Sequence, residues 1–276
     1  MKALLTLKKS ALTTLLLVLL SCDSQSQTLK GYASGRAVNE SGKPLANVRI
    51  RFFGTTFNGQ RSSLNCRTAA DGTYKLKLPA GQYSIREAIY DLSYEGEQYR
   101  LPLYLVGEDN DDVESSKGLS HQLILKTSGL IASTKDQKNH LHYFGGALSL
   151  ETLDLLMEME KRGEKGVKLI VQLSPIGNLM DGSKAKPLEY EKKLAIAADN
   201  RMIMDIPLGK YSATASLKLA NGKLISLKLL AMVKGMPIGD QEEPELKTEI
   251  LFKPKSGDAT LLSYNGTEKT DLKFSL

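Results

Sequence analysis

The chain has 276 residues, with 37 Lys and Arg against 31 Asp and Glu, a net charge of +6. Lys2, Lys8 and Lys9 supply half of that excess and the rest is spread out, so no clustered basic footprint for nucleic acid is indicated. Two cysteines exclude a framework of intrachain disulfides, and the length suits two domains that stand on their own cores.

Residues 1–21 read as a signal peptide. Lys2, Lys8 and Lys9 form its positive start, and residues 11–20 form an apolar run. That run is too short to span a hydrocarbon core of about 30 Å, which takes ~20 helical residues. It ends in Leu19-Leu20-Ser21-Cys22, which resembles the lipobox of bacterial lipoproteins. The resemblance implies cleavage before Cys22, acylation of its thiol, and anchoring in a membrane of the cell envelope, the outer rather than the inner one. Several acyl chains together give a durable anchor where one would not. Residues 22–29 then comprise the lipidated cysteine and a polar tether. With Cys22 so used, Cys66 is left alone and is expected to be a buried structural thiol.

From residue 30 to 127, short β-rich runs are broken by turn residues at regular spacing. Val48, Ile50 and Phe52 alternate with Arg49 and Arg51, which puts the arginines on the solvent side of a strand. Asp71-Gly72 makes a turn, Tyr74, Leu76 and Leu78 alternate again, and Pro79-Ala80-Gly81 turns into Tyr83. Residues 119–125 close the unit. The pattern Gly35, Val38, Gly42-Lys43-Pro44-Leu45, Val48, Thr68, Asp71-Gly72, Tyr74, Leu78-Pro79, Gly81 and Tyr83 resembles the carboxypeptidase regulatory-like domain. That resemblance implies a seven-stranded transthyretin-like Greek-key β-sandwich. Its motif residues are turn and core residues and imply no chemistry.

Residues 128–139 are polar and Lys-rich and read as a linker that leaves the cores on either side independent. Residues 140–276 then repeat the first unit in divergent form. Ala70-Asp71 through Tyr83-Ser84 matches Ala198-Asp199 through Tyr211-Ser212, with Asp, Pro, Gly, Tyr and Ser in register. The match pairs Tyr74, Leu76 and Leu78 with inward-facing Met202, Met204 and Ile206. Val167–Val171 answers Val48–Phe52, and an insertion falls within residues 178–190. Residues 150–162 admit a helix between Ser149 and Gly163. The alternation of Leu153, Leu155, Met157 and Met159 with acidic residues, and the strand expected from the first unit, favour a strand. Further strands are expected at 225–232, 245–252, 260–264 and 271–276. The fold class is therefore all-β, two tandem transthyretin-like sandwiches after a signal peptide.

Candidate chemistry is sparse. A zinc carboxypeptidase needs a His and a Glu at ligand spacing plus another His, but His121, His140 and His142 have no Glu three residues on. The resemblance thus covers an accessory module alone. Oxygens in residues 108–114 would suit Ca²⁺, though the spacing is not that of an EF-hand, and a solvated loop is favoured. Tyr90 and Tyr94, in what reads as a loop over residues 89–96, are the candidate ligand platform. No metal, cofactor or catalytic residue is expected. The expected function is that of a non-catalytic, lipid-anchored envelope protein presenting β-sandwiches for protein interaction or assembly. The alternative is carbohydrate binding or nutrient capture beside an outer-membrane transporter. Partners are then the membrane, through the lipid, and an envelope protein or glycan, with no nucleic acid.

Overall fold

The computed structural model describes residues 28–106, 111–131, 143–195, 201–238, 243–254 and 268–276. Cys22, His140, His142, residues 108–110 and the strand expected at 260–264 lie outside the described residues.

The first module comprises β1 (Tyr32–Asn39), β2 (Arg49–Thr56), β3 (Arg61–Arg67), β4 (Thr73–Lys77), β5 (Gly81–Tyr94), β6 (Glu97–Leu105), β7 (Val113–Glu114) and β8 (Leu119–Leu125). The strand path is β3-β2-β5-β6-β8-β1-β4, with β7 on the start of β5. β6 belongs to both layers of the sandwich: Glu97 to Pro102 pair with β5, and Leu103 to Leu105 pair with β8. Pro102, with no N–H to donate, stands at this changeover. Alternation along β2 turns Ile50 and Phe52 inward at 0% exposure.

The second module comprises β9 (Gly146–Glu151), α1 (Leu153–Lys161), β10 (Lys168–Pro175), β11 (Leu188–Lys193), β12 (Met202–Ile206), β13 (Gly209–Lys218), β14 (Leu224–Val233), β15 (Met236–Pro237), β16 (Thr248–Phe252) and β17 (Lys269–Ser275). Its path, β11-β10-β13-β14-β17-β9-β12, is the first module's path strand for strand. The one parallel pairing on each path recurs too, β1 with β8 and β9 with β17. Tyr83 pairs with Val113 and Tyr211 with Ile250 at equivalent places, and both tyrosines are fully buried. Among the described residues the chain is thus all-β but for one short helix, and forms two tandem sandwiches on one topology.

That helix corrects the strand expected over residues 150–162. β9 ends at Glu151 and α1 begins two residues later. A run with apolar residues at every second place also satisfies a helix, because i and i+4 share a face. Leu155 and Met159 are buried at 3% and 1%, while Leu153 and Met157 face solvent. Gly163, at φ 73°, ends the helix as its left-handed C-terminal residue, with its N–H donated to Glu160 O at 3.0 Å.

The inward register expected for β12 is also corrected. A bulge between Met204 and Ile206 leaves Asp205 unpaired at φ 63°. Ile203 and Ile206 are buried, while Met202 and Met204 are only partly so.

The expected independence of the two cores does not hold. Their buried apolar residues form one contiguous cluster. Thr127 bridges the modules: its N–H and hydroxyl donate to Glu40 Oε2, each at 3.2 Å, and its carbonyl accepts from Leu208 N at 3.0 Å. Gly129 N donates to Asp205 Oδ1 at 2.6 Å, and Ile131 is buried. The rest of the expected linker, residues 132–139, lies outside the described residues. The insertion supplies much of the seam. The β10–β11 connection has twelve residues, Ile176 to Pro187, where β2–β3 has four, Phe57 to Gln60. Its carbonyls at Asn178 and Asp181 accept from Tyr94 Oη at 2.8 Å and Asn39 Nδ2 at 3.2 Å in the first module. Tyr104 of β6 meets Phe144 edge to face, with ring centroids 4.2 Å apart.

Candidate functional site

Tyr90 and Tyr94 are not in a loop. β5 runs fourteen residues and carries both, paired to β6 through Tyr90 with Leu101 and Tyr94 with Glu97. Both rings are partly buried against the core. The Tyr94 hydroxyl donates to Asn178 O and accepts from Lys210 N at 3.0 Å, so it is committed to the seam. Around it, Lys210 Nζ lies 3.2 Å from Glu95 and 2.9 Å from Glu249, and these carboxylates raise the lysine's pKa, Glu249 the more strongly. Lys253 and Glu97 make a second ion pair across the seam at 3.3 Å.

His121 lies on β8, where its carbonyl accepts from Tyr74 Oη at 3.1 Å; burial lowers the pKa of its imidazole. Cys66 is a half-buried free thiol on β3, and burial pushes its pKa up to about 11, away from the thiolate a nucleophile needs. No group of three or more metal-ligating side chains occurs among the described residues.

A different surface stands out, the outer face of β3-β2-β5. The duplicated fold supplies its own control. In register, Arg49 of β2 lies opposite Arg67 of β3; the second module has its own like-charge pair, Lys168 of β10 opposite Lys193 of β11, two residues further from its equivalent tyrosine. Like charges directly opposite on one face of a sheet are destabilising. The second module offsets this with Glu191, which meets Lys168 at 2.5 Å and Lys218 at 3.4 Å. It also spans the next pair by a hydrogen bond from Gln172 to Glu189 at 2.8 Å. Lys168 and Lys218 depress the pKa of Glu191, and the Thr214 hydroxyl donates to Gln172 Oε1 at 3.4 Å.

Aligned on Gly54 facing Tyr83 and Pro175 facing Tyr211, Arg49 opposite Arg67 answers Ile170 opposite Glu191, Arg51 opposite Asn65 answers Gln172 opposite Glu189, and Phe53 answers Ser174. Arg51 reaches Glu87 at 3.3 Å. Arg61 and Arg86 have no ion-pair partner among the described residues, and both are exposed. Among the described residues Arg67 donates to Asn47 O at 3.0 Å and pairs with no carboxylate, and Arg49 Nε is buried without a hydrogen-bond partner. Phe53 is 43% exposed, between the small side chains of Ser63 and Ser84. A bulge opposite Arg51 turns Arg86 and Glu87 to the same side, which adds a cation to the face. Five arginines and an aromatic ring thus share one face of the sheet, with Glu87 the carboxylate that pairs with one of them. Such a surface can grip acidic or planar groups by bidentate and stacking contacts. The alternation of Arg49 and Arg51 was visible in the sequence; the opposition of Arg49 to Arg67 exists only in the sheet register.

No family model matches the chain, and no curated protein matches it. Among solved structures it is similar to a 9R-lipoxygenase from Cyanothece, at 15% identity and TM-score 0.23, over 36% of this chain and 16% of that one. The Bacillus anthracis TIE protein matches at 12% identity and TM-score 0.34, over 89% of this chain and 50% of that one. A DUF3823 family protein from Bacteroides ovatus matches at 12% identity and TM-score 0.21, over 81% of this chain and 99% of that one. The chain thus spans a sixth of the lipoxygenase and half of the TIE protein. Likenesses this distant leave function to the chain's own residues.

Proposed function

We propose that the chain is a non-catalytic, lipid-anchored protein of the bacterial cell envelope that binds a partner through the outer β3-β2-β5 face of its first module. The observation that carries the reading is the unneutralised Arg49–Arg67 pair beside Phe53, set against the second module, where Glu191 stands in the place of Arg67 and pairs with Lys168. A fold that retains opposed like charges on one copy and cancels them on the other retains them for something outside itself. The lipid anchor rests on the Leu19-Leu20-Ser21-Cys22 motif, and the outer membrane is its expected home. Among the described residues no helix is long and apolar enough to cross a membrane. The resemblance to carboxypeptidase regulatory-like domains supports a sandwich used as a binding accessory, with module limits at 30–127 and 140–276.

Two measurements test this. Cys22→Ser should release the protein from the membrane fraction or leave it unprocessed; unchanged cleavage and membrane attachment would remove the anchor. A photo-crosslinking residue at position 53 in intact cells should give a discrete adduct, and one at the equivalent position 174 should not. Arg67→Glu should abolish that adduct without costing stability, since it replaces a like-charge pair by an opposite one worth roughly 0.2–1 kcal/mol. Equal labelling at 53 and 174, or none at 53, would overturn the binding face.

A further inference from the structure

The two ends of the first module have different neighbours. β1 runs from Tyr32 up to Asn39, and Asn39 and Tyr94 mark the end that meets the second module. At the other end the chain enters. Gly31 N donates to Ser115 O at 2.8 Å, and Leu78 N donates to Gly31 O at 2.9 Å. The β2–β3 hairpin turns at this same end, because Thr56 pairs with Gly81 and Phe57 N donates to Ala80 O at 3.2 Å. Phe57 at its tip is 64% exposed, and Leu29 beside the entering chain is 41% exposed. The turn itself does not need the ring. It is held by Gly59 N to Thr56 O at 2.9 Å, Thr56 N to Gln60 O at 2.9 Å, and Thr56 Oγ1 to Gln60 O at 3.1 Å. Phe57 is therefore an apolar group presented on a rigid support.

We infer that this end of the first module docks on the lipid bilayer that holds the anchor, with Phe57 and Leu29 entering the headgroup–acyl boundary. The inference rests on the lipid anchor at Cys22. From there to Leu29 is seven residues, a reach of at most about 25 Å at ~3.5 Å per residue, so this end is held at the membrane surface at high effective concentration. Aromatic side chains favour that boundary, where amphipathic elements sit ~5–10 Å deep. Exposed Lys30, Arg61, Lys77 and Lys117 at this end are nearly offset by Asp111, Asp112 and Glu114. The contact is accordingly apolar and insensitive to salt. Docking this end, with the seam at the other, holds the second module away from the bilayer.

The chain contains no tryptophan, so Phe57→Trp creates a single fluorescent probe. Leu224→Trp, 59% exposed at the far end of the second module beside Lys218, is the control. Each full-length lipidated protein, purified from membranes, is reconstituted into phosphatidylcholine vesicles brominated on the upper acyl chain. The protein should float with the vesicles. Emission of the Phe57→Trp protein should shift to the blue and be lost to bromine quenching at low and high salt alike, while the Leu224→Trp protein keeps its emission. A protein that floats but shows no more quenching at 57 than at 224 overturns the docking and leaves the anchor standing. Failure to float overturns the anchor, and the docking with it.

Discussion

Tyr83 and Tyr211 occupy the same place in the two modules and differ in one hydrogen bond. Tyr211 Oη donates to Pro207 O at 3.0 Å, whereas Tyr83 Oη is buried without a partner among the described residues. A buried hydroxyl without a partner is a cost, and a satisfied one contributes about 0.5–1.5 kcal/mol. Tyr211→Phe should therefore lower stability by about 1 kcal/mol, and Tyr83→Phe should be neutral or stabilising, as read from urea midpoints. The reverse order would mean that Tyr83 holds a partner and Tyr211 does not. Asp205 invites a second test. Its carboxylate accepts from Gly129 N and Gly145 N, but partial burial outweighs both bonds and raises its pKa. A carboxyl whose folded pKa lies above its unfolded value makes the charged form cost stability at neutral pH. That cost is relieved as pH falls through the folded value. Asn keeps the acceptor oxygen and tolerates φ 63°. Asp205→Asn should raise the urea midpoint at pH 7, with the gain shrinking toward pH 4; a loss at pH 7 would show that the charge itself is needed.

At the scale of elements, α1 separates the two periodicities that its sequence allows. On a strand, Leu153, Leu155, Met157 and Met159 would share one face and one cost. On the observed helix only Leu155 and Met159 are buried. Leu155→Ala should cost about 2–5 kcal/mol, and Met157→Lys should stay within about 0.5 kcal/mol. Similar costs at both positions would return the segment to a strand. β5 teaches the converse. The stretch around Tyr90 to Gly96 carries polar and turn-forming residues, yet it continues as strand because the fourteen-residue β5 is paired along its upper half by β6. Glu95 and Gly96, both at positive φ, make the two-residue turn between them.

At the scale of the whole molecule, the seam couples the modules. It combines the hydrogen bonds of Tyr94, Asn39 and Thr127 with the Tyr104–Phe144 contact and two ion pairs. Calorimetry of the mature chain should show one cooperative transition, which Tyr83→Ala lowers for both modules together. Tyr94→Phe removes two seam hydrogen bonds worth about 1 kcal/mol each and should broaden or split that transition. Two independent transitions in the unaltered protein would show that the seam carries no coupling.

Sequence alone carried the class, the duplication and the core anchors. Alternation of apolar residues with turn residues at fixed offsets is local, and Val48–Phe52, Asp71-Gly72 and Pro-x-Gly-x-Tyr express it within a few residues of chain. The closing strand at 119–125 and the insertion after β10 were legible for the same reason. Tertiary structure alone decided three things. The first is which cations stand opposed, because Arg49 and Arg67 are eighteen residues apart and meet only through hairpin register. The second is the bulge at Asp205, where one unpaired residue shifts the inward phase of β12 in a way no alternation pattern records. The third is the seam, built from an insertion, a strand end and the first residues of a linker that look polar and free in sequence. Their polar groups are satisfied across a distance in sequence of 76 residues or more, as for Gly129 with Asp205, and chain-local patterns hold no information about such partners.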